Sequence, residues 1–350
     1  MSSRAGTTMR CVGTGFVALD IIRSALDETT ILERRHAGGS CGNVLAILSY
    51  LGLNTLAVGR IGTDGAGSEL LADLRSCKVD VRFLDAEAGR RTPIVIQETY
   101  TDSRGKARHR FSRACSVCGA TMPGYRPLLV GGVPEVAAAL PPHGLFFFDR
   151  VAAGTLDLAR RSRERGALVV FEPSGIKTES LFLESLRVSH VLKYSHERLS
   201  GLDALSNQVK VPLEIETLAT KGLRFRMRGP GQAAAWQHLP AVTALSIRDS
   251  AGSGDWCTAG FLARIATHQK SPIAGLEDAK VVFGGLQFGQ ALAALNCSYD
   301  GARGLMYTMS RTQTLKATEQ LLKRGVPILP ASASPTFARD RSGQECIVCT

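Results

Sequence analysis

The sequence lacks the features of a membrane-spanning or secreted chain. No apolar run approaches the ~18 residues that a membrane helix needs. The N-terminal stretch MSSRAGTTMR also has no apolar segment of the kind found in signal peptides. Aromatic residues make up only 6% of the 350 residues, whereas the hydrophobic share of 44% is too high for a disordered chain. We therefore expect a globular, cytoplasmic protein with no membrane partner.

The sequence contains fewer acidic than basic residues. Lys and Arg number 42 against 31 Asp and Glu, which gives a formal net charge of +11. Such a surplus favours anionic partners, including phosphates and nucleotides. The dense basic patches, at residues 104–113 and 160–165, lack the interleaved aromatic side chains that stack on single-stranded nucleic acid. We interpret them as solvated basic faces, and nucleic acid is not the expected partner.

The cysteines include two Cys-x-x-Cys pairs, Cys115 with Cys118 and Cys346 with Cys349. Without a secretory signal, the nine cysteines are most simply read as reduced thiols. Together the two pairs could supply the four thiolates of a structural Zn²⁺ site. The chain between them is very long for one zinc module, so free thiols or a redox pair remain alternatives.

Short apolar runs alternate with amphipathic stretches along most of the chain. Strand-like runs occupy residues 10–16, 55–61, 144–148 and 167–171, and helical spacing occurs at residues 43–50, 68–76 and 155–165. This order predicts an α/β fold with a doubly wound, mostly parallel sheet covered by helices on both faces.

One segment breaks the alternation. Residues 93–100 and 108–112 flank a glycine-containing turn and predict an antiparallel hairpin. We expect this hairpin, inserted at about residues 90–115, to form a small β-sheet lid on a single domain of residues 1–326. Residues 327–350 are rich in Pro, Ser and Ala, and they predict a flexible tail that ends in the second cysteine pair.

The stretch from Asp249 to Asp255, DSAGSGD, is the most informative motif. A helical pattern starts directly after it, so backbone N–H groups can converge on an anion at the helix N-terminus. Asp255 at the mouth of this cradle could accept a proton from an attacking hydroxyl. A glycine-rich helix start with Asp255 as its cap explains the stretch about equally well.

A second glycine-rich stretch, Gly38-Gly39-Ser-Cys-Gly-Asn43, also opens a helix. Its paired glycines let a ligand approach the backbone, and Asn43 offers both a donor and an acceptor. Asp20 lies just past the first strand, where its carboxylate could bind two sugar hydroxyls. A turn and a helix cap explain these residues about as well.

Together, the two glycine motifs resemble those of the ribokinase-like carbohydrate kinases, the phosphofructokinase B (pfkB) family. The resemblance runs with gaps from about Arg10 to Met309 and implies a doubly wound domain with a β-sheet lid. It implies transfer of the ATP γ-phosphate to an alcohol with Mg²⁺, and in some members a monovalent cation. The implied roles are a base at Asp255, an anion hole at Ala251, Gly252, Ser253 and Gly254, a substrate site at Asp20, Gly38, Gly39 and Asn43, an ATP site at Thr217, Gly222 and Asp249, and a water-mediated Mg²⁺ contact at Glu197.

The sequence departs from the family pattern at several positions. Tyr194 replaces the Asn of the metal-organising N-x-x-E element, and Ala219 replaces a glycine of the nucleotide loop. A catalytically weak kinase fold that binds nucleotide or sugar as a regulatory module is therefore the alternative. An NAD(P)-binding Rossmann protein is a minor alternative, because residues 13–18 fit G-x-G-x-x-A after a strand.

We expect an ATP-dependent kinase that phosphorylates a hydroxyl of a sugar, a sugar derivative or a nucleoside. The small-molecule substrate is expected between the sheet and the hairpin lid, where Arg110 would contact an anionic substrate group. Lids in this family often pair between subunits, so the resemblance also implies a homodimer through the lid.

Overall fold

The structure is a computed structural model. It describes residues 9–25, 30–101, 107–112, 114–115, 118–229, 235–269, 271–325 and 337–340. In this part of the chain, no helix combines the length and the apolar character needed to cross a membrane.

The described residues form alternating strands and helices. The strands are β1 (Arg10–Thr14), β2 (Ala18–Ala25), β3 (Thr30–Gly38), β4 (Asn54–Gly62), β5 (Val79–Glu87), β6 (Ile94–Thr101), β7 (Ala107–Ser112), β8 (Leu145–Phe148), β9 (Leu168–Phe171), β10 (Val191–Ser195), β11 (Leu213–Thr217), β12 (Leu223–Met227), β13 (Gln237–Leu239) and β14 (Phe337–Asp340). The α-helices are α1 (Gly39–Tyr50), α2 (Gly65–Ser76), α3 (Val133–Ala139), α4 (Ala153–Glu164), α5 (Glu179–Val188), α6 (Asp203–Gln208), α7 (Ser253–Ala266), α8 (Pro272–Glu277), α9 (Ala279–Asn296), α10 (Gly304–Thr308) and α11 (Arg311–Arg324).

The large sheet has the order β13-β12-β11-β10-β9-β8-β1-β4-β5 and is parallel from β11 to β5. Its central strands are continuous apolar runs: every residue of β8 (LFFF) and of β9 (LVVF) is buried. This is expected where helices cover both faces of a parallel sheet. One hydrophobic core contains residues of α1, α7 and α9, a second contains residues of α4 and α5, and a third contains residues of β2 and β6. The predicted doubly wound α/β fold is confirmed.

The small sheet has the order β14-β3-β2-β6-β7. The hairpin predicted from sequence is present as β6 and β7, which pair antiparallel. It extends a second antiparallel pair, β2 with β3, that the sequence analysis did not predict. The sequence prediction of a tail from residue 327 onward also does not anticipate β14, which pairs antiparallel with β3.

The minor Rossmann alternative fails on this topology. A dinucleotide fingerprint needs a strand that leads through its glycines into a helix, whose N-terminus receives the pyrophosphate. Here β1 leads through Gly15 into β2, a strand of the small sheet. No helix N-terminus follows the glycines, so the chain does not form that site.

Candidate active site

The candidate site lies where the carboxyl ends of the central parallel strands meet the start of α7. Asp149 and Glu172 directly follow the ends of β8 and β9, and Lys193 lies in the middle of β10. Neighbouring parallel strands end at the same edge of a sheet, which is where ligands bind in open α/β folds. The DSAGSGD motif reaches this edge from the other side, because α7 begins at Ser253.

Gly252 shapes the turn into α7. Its φ is +71°, in the left-handed region, and a Cβ at this position would lie 2.3 Å from the carbonyl oxygen of Ala302. Both the dihedral angle and the lack of space require glycine here. The N–H of Ala251 donates to Asp249 Oδ1 at 2.8 Å, and the N–H of Ser253 donates to the carbonyl of Ser250 at 3.2 Å.

The predicted anion hole is therefore narrower than Ala251–Gly254. The N–H groups of Ala251 and Ser253 are already used within the loop. For Gly252 and Gly254, the structure gives no backbone N–H partner among the residues it describes. A helix leaves its first N–H groups without intrahelical partners, and its dipole places positive potential there. Within the described residues, the N–H groups of Gly252 and Gly254 are thus the ones that remain available in the predicted anion hole.

Asp255 lies in the first turn of α7 beside these groups. Its Oδ2 accepts a hydrogen bond from Asn43 Nδ2 at 2.8 Å, which joins the two glycine motifs across 212 positions of sequence. Burial raises the pKa of Asp255 to about 8, and the nearby Glu172 adds to the increase, while Asn43 and Lys193 act to lower it. The carboxyl group is thus poised to exchange a proton near neutral pH.

A buried polar network that the sequence analysis missed supports this turn of α7. Lys193 is only 3% exposed; its Nζ pairs with Glu172 Oε1 at 2.6 Å and donates to the carbonyl of Gly254 at 3.3 Å. Thr258 Oγ1 donates to Glu172 Oε2 at 2.5 Å. The one available signal was position, since Glu172 directly follows an apolar strand and Lys193 lies within a buried one.

Asp249 acts within the loop rather than at its surface. It is 4% exposed, and its Oδ2 accepts from the N–H of Gly301 at 2.8 Å and from Gln97 Nε2 of β6 at 3.3 Å. Its carboxylate therefore connects the anion-hole loop, the loop after α9 and the small sheet. The ATP contact that the resemblance implied for Asp249 stays a prediction.

A cavity of about 200 Å³ lies between the small sheet and the main domain. The small sheet contributes Asp20, Ile22, Arg34, His36 and Ala37, α1 contributes Asn43, and the loop after α9 contributes residues 300–304 together with Tyr307 of α10. The substrate candidates Asp20 and Asn43 are thus brought together, as predicted. The sequence analysis did not predict that Arg34, Arg303 and Tyr307 line this cavity.

Gly38 and Gly39 form the floor beneath Asp20. A Cβ at Gly38 would lie 1.8 Å from Asp20 Oδ2, so the carboxylate occupies the place of a side chain. Burial raises the pKa of Asp20 to about 7, partly offset by the charge of Arg303 and by the N–H of Gly39. Within the described chain, Asp20 Oδ1 and Asn43 Oδ1 have no hydrogen-bond partner.

The structure does not bring Arg110 to this cavity, which corrects the sequence prediction. Arg110 lies on β7, two strands away from β2, and its exposed side chain pairs with Glu98 of β6 at 2.5 Å. The cavity is instead lined by Arg34, 3.3 Å from Asp300, and by Arg303, 2.6 Å from Asp73.

The predicted nucleotide loop connects β11 to β12. Thr217 ends β11, and Gly222, with φ +95°, closes a 3₁₀ turn over Ala219–Lys221. Glu197 is exposed in the turn after β10. Tyr194 points into the core, where it is 2% exposed and its hydroxyl donates to Glu214 Oε1 at 3.3 Å.

The metal predictions have different outcomes. In the described ranges, no group of three or more His, Cys, Asp or Glu side chains is arranged to hold a metal ion. Cys115 is buried and Cys118 is exposed, in the segment after β7. Cys346 and Cys349 lie outside the described residues, so the four-cysteine zinc site stays a prediction.

Comparison with known proteins agrees with the predicted resemblance. Residues 28–110 match the model of the pfkB family carbohydrate kinases. A fructokinase from Klebsiella pneumoniae is 25% identical over 254 residues, which cover 66% of this chain and 77% of that protein. The matched family segment includes Gly38, Gly39 and Asn43 but not the DSAGSGD motif.

Solved structures show the same fold at lower sequence identity. The ribokinase of Giardia lamblia superposes with a TM-score of 0.70 at 16% identity, covering 90% of this chain and all of that one (100%). The fructokinase of Xylella fastidiosa with bound ATP gives a TM-score of 0.64 at 21% identity, covering 84% and 93% of the two chains. The family resemblance predicted from the motifs is therefore confirmed: the chain is related in sequence to the pfkB carbohydrate kinases and shares the ribokinase fold.

Proposed function

We propose that the protein is an ATP-dependent kinase that transfers the γ-phosphate to a hydroxyl group of a sugar. The observation that carries the proposal is the contact between Asp255 and Asn43. Asn43 lines the polar cavity, and Asp255 belongs to the turn that carries the N–H groups of Gly252 and Gly254, so the contact links a carboxyl of raised pKa to both. The fructokinase relative and the ATP-bound neighbour support the same reaction class.

The reaction follows from this arrangement. Asp255 accepts the proton of the substrate hydroxyl while the hydroxyl oxygen forms a bond to the γ-phosphorus. The bond from that phosphorus to the β–γ bridging oxygen breaks, and ADP leaves with the electron pair. The N–H groups of Gly252 and Gly254, with the positive end of α7, stabilise the negative charge on the transferring phosphoryl group.

The nucleotide would lie along the ends of β10 and β11, beside Thr217 and Gly222. Mg²⁺ commonly binds through substrate phosphates and waters with one or two carboxylates, so it needs no cage of protein ligands. Glu197 is exposed after β10 and is suited to such a water-mediated contact. Bound Mg²⁺ would neutralise charge on the β- and γ-phosphates. The monovalent cation implied by the resemblance stays a prediction.

The cavity favours an uncharged substrate. Its two cations are already paired, Arg34 with Asp300 and Arg303 with Asp73. The side-chain oxygens without partners, Asp20 Oδ1 and Asn43 Oδ1, are buried atoms that can accept hydrogen bonds from hydroxyl donors. The cavity volume of about 200 Å³ lies below the roughly 300–1,000 Å³ of pockets for drug-sized ligands. A neutral monosaccharide therefore fits better than a nucleoside or an anionic sugar.

A regulatory module without efficient catalysis is the second candidate. The observation in its favour is Tyr194, whose hydroxyl is committed to buried Glu214 where the family has an amide for metal organisation. An intact Asp255 counts against it, because a binding module does not need a carboxyl group with a raised pKa at the anion hole.

The test is release of ADP from ATP and Mg²⁺ across neutral monosaccharides, sugar phosphates, sugar acids and nucleosides. We expect turnover with a neutral monosaccharide, reduced by roughly 10²–10⁴-fold in Asp255→Asn. Asp157→Asn is the matched control, because Asp157 pairs with Arg161 on α4, away from the residues of the candidate site. ATP binding without turnover of any compound would favour the regulatory module, and turnover that survives in Asp255→Asn would exclude Asp255 as the base.

A further inference from the structure

Asp73 and Arg303 bind both backbone hydrogen-bonding groups of one residue of the small sheet, Ala37. The N–H of Ala37 in β3 donates to Asp73 Oδ2 at 2.9 Å, and its carbonyl accepts from Arg303 Nη2. The same Nη2 donates to Asp73 Oδ2 at 2.6 Å, which closes a triangle. Asp73 belongs to α2 and Arg303 to the loop after α9, so the triangle joins the small sheet to two parts of the main domain.

This triangle adjoins the substrate candidates. Ala37 directly precedes Gly38, which forms the floor beneath the Asp20 carboxylate. In the register of β2 and β3, Asp20 is paired with His36 and Leu19 with Ala37. The contacts of Asp73 and Arg303 with the backbone of Ala37 therefore fix the position and direction of β3, against which Asp20 lies.

Both terminal nitrogens of the Arg303 guanidinium are engaged by protein atoms. Arg303 is 3% exposed, and besides Asp73 and Ala37 its Nη1 lies 3.4 Å from Cys77 Sγ. Burial acts to raise the pKa of Asp73, but His36 and Arg303 outweigh it and lower the pKa to about 2. The pair is thus charged at neutral pH. Burying two charges costs free energy, so stability alone does not explain this pair.

We propose that Arg303, oriented by Asp73, is a positioning residue of the sugar site: it fixes the β3 peptide beneath Asp20 and supplies positive charge beside the Asp20 carboxylate. The proposal rests on the proposed function for its kinetic readout. Arg303 does not contact the reacting atoms, so its loss acts through the affinity for the sugar and not through the chemical step.

The charge of Arg303 sets the pH at which sugar affinity changes with the ionisation of Asp20. The groups that face Asp20 are His36 and Arg34 of β3, Arg303, Asp300 and Tyr307 around the loop after α9, Asn43 of α1 and Asp73 of α2. Ionised Asp20 accepts hydrogen bonds from sugar hydroxyls, so KM for the sugar should fall as pH rises through about 7. Without Arg303 the pKa of Asp20 is higher, and this change moves to higher pH.

The experiment compares Arg303→Met, Arg303→Lys and Asp73→Ala with Arg35→Met as the matched control. Arg35 also joins β3 to α2, through Glu69 at 2.9 Å, but it does not line the cavity. In Arg303→Met we expect KM for the sugar to rise about tenfold and its pH dependence to shift upward by about one unit. We expect kcat and KM for ATP to change little. Arg303→Lys should keep the wild-type pH dependence because it keeps the charge.

Hydrogen exchange of residues 33–40 gives a readout that does not require activity. We expect faster exchange in Arg303→Met and Asp73→Ala than in Arg35→Met. Asp73→Ala removes the acceptor of the Ala37 N–H, and Arg303→Met removes the donor to the Ala37 carbonyl and the charge that holds Asp73 in place. A lower Tm with unchanged exchange and unchanged pH dependence would overturn the proposal and leave a purely structural ion pair. If the wild type turns over no sugar, the proposed function fails, and exchange at residues 33–40 still decides whether the pair holds the strand.

Discussion

At the scale of single residues, the main feature of the candidate site is a set of buried carboxyl groups. Burial raises the pKa of Asp255 to about 8, that of Asp20 to about 7 and that of Asp149 to about 6. Desolvation is the largest cause in each case, because it disfavours the charged form. These groups therefore change charge within the range of pH in which enzymes are ordinarily assayed.

The rate of phosphoryl transfer should depend on the ionisation of Asp255. Only the carboxylate can accept the substrate proton, so kcat/KM should rise with pH and level off above about 8. The measurement is the pH profile of kcat/KM with ATP and Mg²⁺ saturating. A profile that is flat through this range would contradict the raised pKa or the role of Asp255.

The same ionisation should reduce the stability of the fold. The pKa of Asp255 is higher in the folded protein than its ordinary value of 3.8, so its contribution to stability is present at low pH and is lost as pH rises through about 8. Asn does not titrate and escapes this loss. We therefore expect Asp255→Asn to raise Tm more at about pH 8.5 than at about pH 5. An equal difference at both pH values would contradict the prediction.

Two glycines of the anion hole should respond differently to alanine. At Gly252 the positive φ and the carbonyl of Ala302 oppose a side chain, so Gly252→Ala should cost about 1–3 kcal/mol of stability. At Gly254 a Cβ would have its nearest neighbour at 3.8 Å, Glu172 Oε1, and Gly254→Ala should leave stability within about 0.5 kcal/mol. Urea unfolding of both variants measures the difference, and equal losses would contradict it.

At the scale of elements, Asn296 at the end of α9 connects the two loops of the site. Its Nδ2 donates to the carbonyls of Ala251 at 3.2 Å and Gly301 at 3.3 Å, and its Oδ1 accepts from the N–H of Leu305 at 3.1 Å. Asn296 is completely buried. One amide side chain thus binds both the loop of the predicted anion hole and the loop after α9 that lines the cavity.

Replacing that amide should affect stability and both substrates. Asn296→Ala removes the side-chain partners of the Ala251 carbonyl and of the Leu305 N–H, at about 1–3 kcal/mol for each unsatisfied group before relaxation. The Gly301 carbonyl still accepts from the N–H of Gly304 at 3.3 Å. We expect a lower Tm, a lower kcat and a higher KM for the sugar. Asn207→Ala on the exposed face of α6 is the control. A fall in Tm with unchanged kinetics would contradict the connecting role.

The sequence made some elements predictable and concealed others. The apolar runs of β8 and β9 predicted buried parallel strands, because few other structures accommodate such short runs. The hairpin of β6 and β7 was visible through its turn. The pair of β2 and β3 was not, because Ala18–Ala25 and Thr30–Gly38 carry charged residues on strands that lie between other strands.

The sequence predicted those parts of the candidate site whose residues lie close together along the chain. The glycines before Asp255 and those before Asn43 form motifs of a few residues. Arg303 and Asp73 are 230 positions apart, and Asn43 and Asp255 are 212 apart. Only the tertiary fold pairs such residues, so the positioning role of Arg303 had no signal in the sequence.

At the scale of the whole molecule, the small sheet has two outer strands, β14 and β7. β7 carries Phe111, whose side chain is 64% exposed. An outer strand offers unpaired N–H and C=O groups to another chain. The homodimer through the lid that the resemblance implied stays a prediction, and β7 is the strand through which we would expect it to form.

The strand β14 pairs with β3, whose edge would otherwise be open to pairing with other chains. It comprises only Phe337–Asp340, whereas β3 beneath it spans Thr30–Gly38. Short outer strands protect a sheet, and long uncovered ones serve as templates for further chains. A chain that ends at residue 325 should keep its large sheet and cavity but scatter light increasingly with concentration. Equal scattering of the full and shortened chains would show that β14 has no protective effect.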